Sequence, residues 1–189
     1  MYKLNLSKNK KYFFLYLILL IKLFLGAKIL FWGYPIFASA DEPLFVKTGL
    51  KVLYRAFNNF DFNPYFYDWP NFIIYLNAFI SSLYIFYNII LGINPEEIPH
   101  INFVILIRAA ALLTSILHTY IIFRITKKIY NTNIALLISA VAAFTPLYFE
   151  YSAIAKAEIW FGFFATLVLY FSLEIYFKNK LKYYILAGL

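Results

Sequence analysis

Cysteine is absent from this 189-residue chain, which excludes a disulfide framework and any thiolate metal centre. Its absence says nothing about redox compartment. Acids are scarce too: Asp and Glu number 9 against 17 Lys and Arg, a formal net charge of +8. That balance invites a nucleic-acid reading, but the basic residues form no face on a folded soluble domain. They cluster at the ends of apolar runs, as Lys8, Lys10 and Lys11, then Arg124, Lys127 and Lys128, then Lys178, Lys180 and Lys182. That is the pattern of cytoplasmic anchors on membrane spans. No stretch of the chain is polar and long enough to make a separate soluble domain.

What fills the chain instead is apolar. Hydrophobic residues make up 63% and aromatics 23%, with a mean hydropathy of +0.72, where a soluble domain is about 45–50% apolar. The excess sits in long runs, and runs of roughly 18 or more apolar residues read as membrane spans. The expected fold is therefore all-α: a polytopic transmembrane helical bundle, a single domain over residues 1–189. Spans are expected at about 12–37, 101–123, 134–150 and 158–177, with another beginning at 183. Because the chain stops at Leu189 soon after that last run begins, and a span does not end in mid-bilayer, further spans are expected beyond it. The first run follows lysines and precedes Ala38, Ser39 and Ala40, as a signal peptide would. It is too long for that and holds Lys22 and Lys28. Each of these either snorkels to the headgroups or faces other helices, and an anionic lipid is the alternative partner.

Charge orients the spans. If the run at 71–92 also crossed, Arg124, Lys127 and Lys128 would lie opposite the N-terminal lysines, against the positive-inside rule. That run carries Asn77, Ser81, Tyr84 and Asn88 down one helical face. It reads as a re-entrant or interfacial helix. Residues 38–100 then form one outer segment, and residues 150–158 a second. At residues 42–58, Val46, Leu50, Leu53 and Phe57 line one face while Lys47, Lys51 and Arg55 line another. This is the pattern of an outer-face juxtamembrane amphipathic helix, apolar face down. Asp41 is placed to cap it and Pro43 suits its first turn.

Several side chains in these segments carry chemistry. Asp41 and Glu42 close the first span: an ordinary cap with solvated acids, or a carboxylate facing a membrane-embedded cavity, where desolvation fits it to take a proton from a hydroxyl. Arg108 lies about two turns inside its run, and its planar fork suits a phosphate as well as it suits snorkelling. Glu158 opens the last full run, where an acid favours the helix dipole, and Lys156 is beside it in sequence. His118 reads as a hydrogen-bonded packing residue. His100 with Glu96 and Glu97 is a weak metal signal.

At these residues the chain resembles the polytopic glycosyltransferases of the C superfamily, which include dolichyl-phosphate-mannose-protein mannosyltransferases and aminoarabinose transferases. The matching features run in order: Asp41-Glu42, Asn63-Pro64, Asp68-Trp69-Pro70, Tyr75-Leu76 and Arg108, then Thr145-Pro146-Leu147, Tyr151-Ser152, Ala155 and Glu158 before Phe163-Phe164. The chain would be the N-terminal, donor-site part of such an enzyme. One departure stands out: the second-loop acid is commonly Asp, and Glu158 stands here.

The resemblance implies transfer of a sugar from a polyprenyl or dolichyl phosphate to a protein or lipid acceptor. Transfer occurs on the outer face of a membrane, a prokaryotic plasma membrane, with inversion and with Asp41 as general base. Glu42 or Glu158 orients acceptor or sugar, and Arg108 and Lys156 face the lipid phosphate. A divalent metal is compatible with this chemistry but is not called for, and no metal ligands are assigned. Membrane lipids are partners; nucleic acid is not. The rival readings are a transporter or flippase for a lipid-linked or anionic solute, and a non-catalytic membrane segment. No recurring pair of Gly/Pro-interrupted spans supports the transporter.

With no native cysteine in the way, Asp41→Cys is expected to react with a membrane-impermeant reagent applied outside, and Lys127→Cys only after permeabilisation. The reverse labelling pattern would overturn the topology.

Overall fold

The computed structural model describes residues 8–33, 42–65, 71–154 and 156–188. Asp41, Asp68-Trp69-Pro70 and Ala155 lie outside them. Among the described residues every regular element is helical, as the apolar patterning requires: α1 (Lys8–Ile29), α2 (Glu42–Asn59), α3 (Asn71–Ile90), α4 (His100–Ile129), α5 (Thr132–Phe144), α6 (Pro146–Tyr151), α7 (Ala157–Lys178) and α8 (Leu181–Gly188). Four of these helices, α1, α3, α4 and α7, are long and apolar enough to cross a membrane. The chain is an integral, multi-pass membrane protein with an all-α architecture.

Local chemistry explains where the helices stop. The first apolar run continues to residue 37, yet α1 ends at Ile29. Gly33 sits at φ +78°, a left-handed backbone conformation that glycine adopts without strain and that commonly closes a helix. The run expected to span 134–150 is two helices. Asn131 caps α5 by accepting from the backbone N–H groups of Asn133 and Ile134, both at 3.0 Å. The break falls at Thr145 (φ −57°, ψ 124°), because the ring of Pro146 pushes the preceding residue out of helical geometry. α3 closes on Gly92, at φ +77°, with Ile93 N–H donating to Asn88 O at 3.0 Å.

The chain clusters into two compact units. One unit comprises the chain up to Ala27, the segment Leu112–Ser152 and the chain from Glu158 onward. Its apolar core includes Leu15, Phe123 and Ala135. Buried polar groups stitch it together. Lys22 is fully buried; its Nζ donates to Ser115 O at 3.1 Å and Thr119 Oγ1 at 3.0 Å, 4.3 Å from the centre of the Tyr148 ring. Lys22 therefore faces other helices and does not snorkel. Lys28 is exposed. Glu174, also buried, pairs with Lys128 and with Lys178, the latter at 2.8 Å.

The other unit runs from Lys28 to Ala111 and includes Ala153–Ala157. Its core gathers Val46 of α2 with Phe103, Val104 and Ile107 of α4, and Leu50, Ile80 and Tyr84 pack against them. Part of the α2 face read as lying on lipid is thus turned into protein, while Phe57, at the far end of that face, stays exposed. Gly49 is what lets α2 approach α3. A Cβ placed there would meet Asn77 Cβ at 3.1 Å and the Ala78 backbone nitrogen at 3.2 Å.

Gly49→Val should destabilise the protein by about 1–3 kcal/mol through overpacking, seen as a lower unfolding midpoint in detergent. An unchanged midpoint would contradict this contact.

Candidate active site

The site begins with a charge that the bilayer disfavours. An intramembrane guanidinium needs a partner, and Arg108 has one in Glu42, the first residue of α2. Arg108 Nε donates to Glu42 Oε1 and Nη2 to Oε2, each at 2.6 Å. The side chains are 2% and 0% exposed. This is the two-pronged, planar match that Arg makes with a carboxylate. The remaining prong turns elsewhere: Nη1 donates to the carbonyls of Leu30 at 2.7 Å and Trp32 at 2.8 Å. Carbonyls at a helix C-terminus lack helical partners, and a cation there also favours the dipole. One side chain therefore ties the end of α1, the start of α2 and the third turn of α4 together.

The sequence reading left Arg108 between a donor phosphate and snorkelling to headgroups. The structure commits its donors to Glu42 and the two carbonyls. Glu42 is correspondingly spoken for, fully buried and charge-paired. Asp41, covalently adjacent, lies outside the described residues. Lys156 is half-buried in the same unit as Glu42 and Arg108. Glu158 belongs to the other unit, where it stands exposed in the first turn of α7.

Two features escaped the sequence reading. The first is the extended network around His118. Thr166 Oγ1 donates to Gly162 O at 2.8 Å, so at 2.6 Å it must accept from His118 Nε2. That places the proton on Nε2 and makes Nδ1 the acceptor of the Tyr148 hydroxyl at 2.5 Å. The signal was in view: Thr114, Ser115, His118 and Thr119 are polar residues at helical spacing in an apolar run. The second is an apolar groove of about 520 Å³, lined by Leu50, Leu53 and Phe57 of α2, Ile85 and Ile89 of α3 and Phe103 of α4. That volume falls in the range of small-ligand pockets, about 300–1,000 Å³. As for metals, no group of three His, Cys, Asp or Glu gathers among the described residues, at His100, Glu96 and Glu97 or elsewhere.

Removing one member of a buried ion pair strands the other. Arg108→Ala should destabilise the protein by about 3–5 kcal/mol, and Arg124→Ala, at a half-buried position beside Tyr120 and Tyr170, by much less. Thermal unfolding of the two variants side by side checks this.

Comparison with known proteins adds one match. No curated protein and no solved structure matches the chain. The family model of the dolichyl-phosphate-mannose-protein mannosyltransferases matches residues 102–189. That stretch contains Arg108, Lys156 and Glu158 and begins well after Asp41-Glu42. Over it, the chain is similar to that family of membrane mannosyltransferases.

Proposed function

We propose that the chain forms the donor site of an enzyme that moves a sugar from a polyprenyl or dolichyl phosphate to a hydroxyl or amine of a protein or lipid, on the outer face of the membrane. The observation that carries this reading is the Glu42–Arg108 pair. It joins the Asp-Glu motif to α4, inside the stretch that matches the family. With Glu42 engaged by Arg108, Asp41 is the acid of the motif assigned to chemistry.

In this reading the Asp41 carboxylate takes the proton of the acceptor as the acceptor's oxygen or nitrogen bonds to the anomeric carbon. The bond from that carbon to the phosphate oxygen breaks at the same time. Its electron pair leaves with the lipid phosphate, and the anomeric configuration inverts. Developing charge on the leaving phosphate calls for a fixed cation. Lys156, half-buried and in the same unit as Glu42, takes that role. Glu158 orients acceptor or sugar. The lipid tail of the donor is hydrocarbon, and the groove between Phe57, Ile85 and Phe103 presents a surface of matching chemistry.

General-base help is worth about 10²–10⁴ in rate. Asp41→Asn should therefore lower release of labelled sugar from a synthetic polyprenyl-phosphate donor by about that factor, in a protein that still folds. Full activity in this variant would remove Asp41 from its role.

A further inference from the structure

We infer that the basic end of α4, α7 and α8 binds the phosphate of an anionic membrane lipid, with Arg124 and Lys182 among its ligands. The inference does not depend on the function proposed above. Glu158, the substrate-orienting residue of that proposal, lies roughly 24 Å from Glu174 along α7, so this is a separate place.

The cluster is built around one carboxylate. Glu174 is 1% exposed and binds Lys128, from the last turn of α4, and Lys178, one turn further along α7, at 2.8 Å. Two ammonium groups on one carboxylate already leave a positive charge over. Arg124 adds another, and neutral oxygens hold it: Nη1 donates to the Tyr120 hydroxyl at 2.9 Å and Nη2 to the Tyr170 hydroxyl at 3.2 Å. Tyr170 also bonds Glu174, which joins Arg124 to the same network. Lys182 of α8 follows, 5.0 Å from the centre of the Tyr183 ring, with Lys178 5.5 Å from that ring. Four cations thus stand against one carboxylate.

The chain offers no second acid to balance them. Glu174 is the sole acid after Glu158, none stands between Glu97 and Glu150, and none precedes Asp41. Like charges held this close repel, so an anion from outside stabilises the cluster. Tyr176, Phe177 and Tyr184 stand exposed where α7 passes into α8, and aromatic residues at span ends sit at headgroup depth. The anions at that depth are lipid phosphates, which basic pockets between spans bind. Phosphate is also the better partner for Arg124, because a bond with charge on both sides is stronger than one to a neutral hydroxyl. Leu169 and Phe177 are exposed on α7, an apolar surface that the acyl chains of a lipid can use and a free phosphate cannot.

The test uses the full chain in detergent. Dioleoylphosphatidylglycerol is titrated in parallel with dioleoylphosphatidylcholine, which has the same acyl chains and no net charge, and bound lipid is counted by native mass spectrometry. The proteins are wild type, Arg124→Gln with Lys182→Gln, and Lys47→Gln with Lys51→Gln. The first pair of changes leaves both lysine partners of Glu174 in place. The second removes the same charge from exposed positions on α2, in the other unit.

Wild type is expected to prefer the anionic lipid by about tenfold or more, with the preference shrinking as salt rises. Arg124→Gln with Lys182→Gln should lose most of that preference, and Lys47→Gln with Lys51→Gln should keep it. Lys182→Gln alone, at an exposed position, should give a smaller loss in the same direction; it carries the test if the Arg124 change lowers the unfolding midpoint. No preference in wild type would overturn the inference. So would an equal loss in the Lys47 and Lys51 variant, which would make the preference a matter of overall charge. Displacement of the lipid by inorganic phosphate at matched concentration would assign the site to the free ion and overturn the lipid reading.

Discussion

A guanidinium buried in an apolar helix and a carboxylate at the head of another meet in the Glu42–Arg108 pair, and much else depends on that meeting. Neither group could sit so deep alone, because an isolated buried charge is far more costly than a paired one. Together they satisfy each other, and the spare donors of Arg108 reach two carbonyls that the end of α1 leaves free. The contact is more than neutralisation. It ties three helices at one point and fixes Glu42 at the head of α2.

The protein handles its other deeply buried cation differently. Lys22 is as deeply enclosed as Arg108, but its contacts are with a backbone carbonyl, a hydroxyl and the face of Tyr148. No carboxylate pairs with it among the described residues. Neutral oxygens and an aromatic ring stabilise an ammonium less than a carboxylate does, and they leave it free of a fixed bidentate geometry. The Lys22 contacts serve the packing of α1 against α4. The planar grip of Arg108 ties the end of α1 to the start of α2.

Much of the architecture could be read from the chain. Long apolar runs with lysines at their ends announced the helices, and Arg124, Lys127 and Lys128 lie within the last turns of α4. The ends of helices were harder to see. Apolar residues run past Ile29 and hid the turn that Gly33 closes. Pro146 was noticed as part of a motif rather than as the breaker that splits the fourth run. The site was legible as residue types and not as contacts. Glu42 and Arg108 are 66 positions apart, and Lys22 lies 93 positions from Ser115. No periodicity spans such distances, so the sequence could show that each cation needed a partner but not which one it had. Asp41, Lys156 and Glu158 rest on the family resemblance.

An intramembrane cation and an apolar groove would also suit a protein that carries a lipid-linked sugar across the bilayer intact. What separates the two is a broken bond. Purified protein in liposomes, given a synthetic polyprenyl phosphate carrying a labelled mannose together with an acceptor, provides the direct measurement. The account predicts free polyprenyl phosphate appearing in step with sugar on the acceptor. Intact sugar-lipid moving from one leaflet to the other, with no lipid phosphate released, would contradict it.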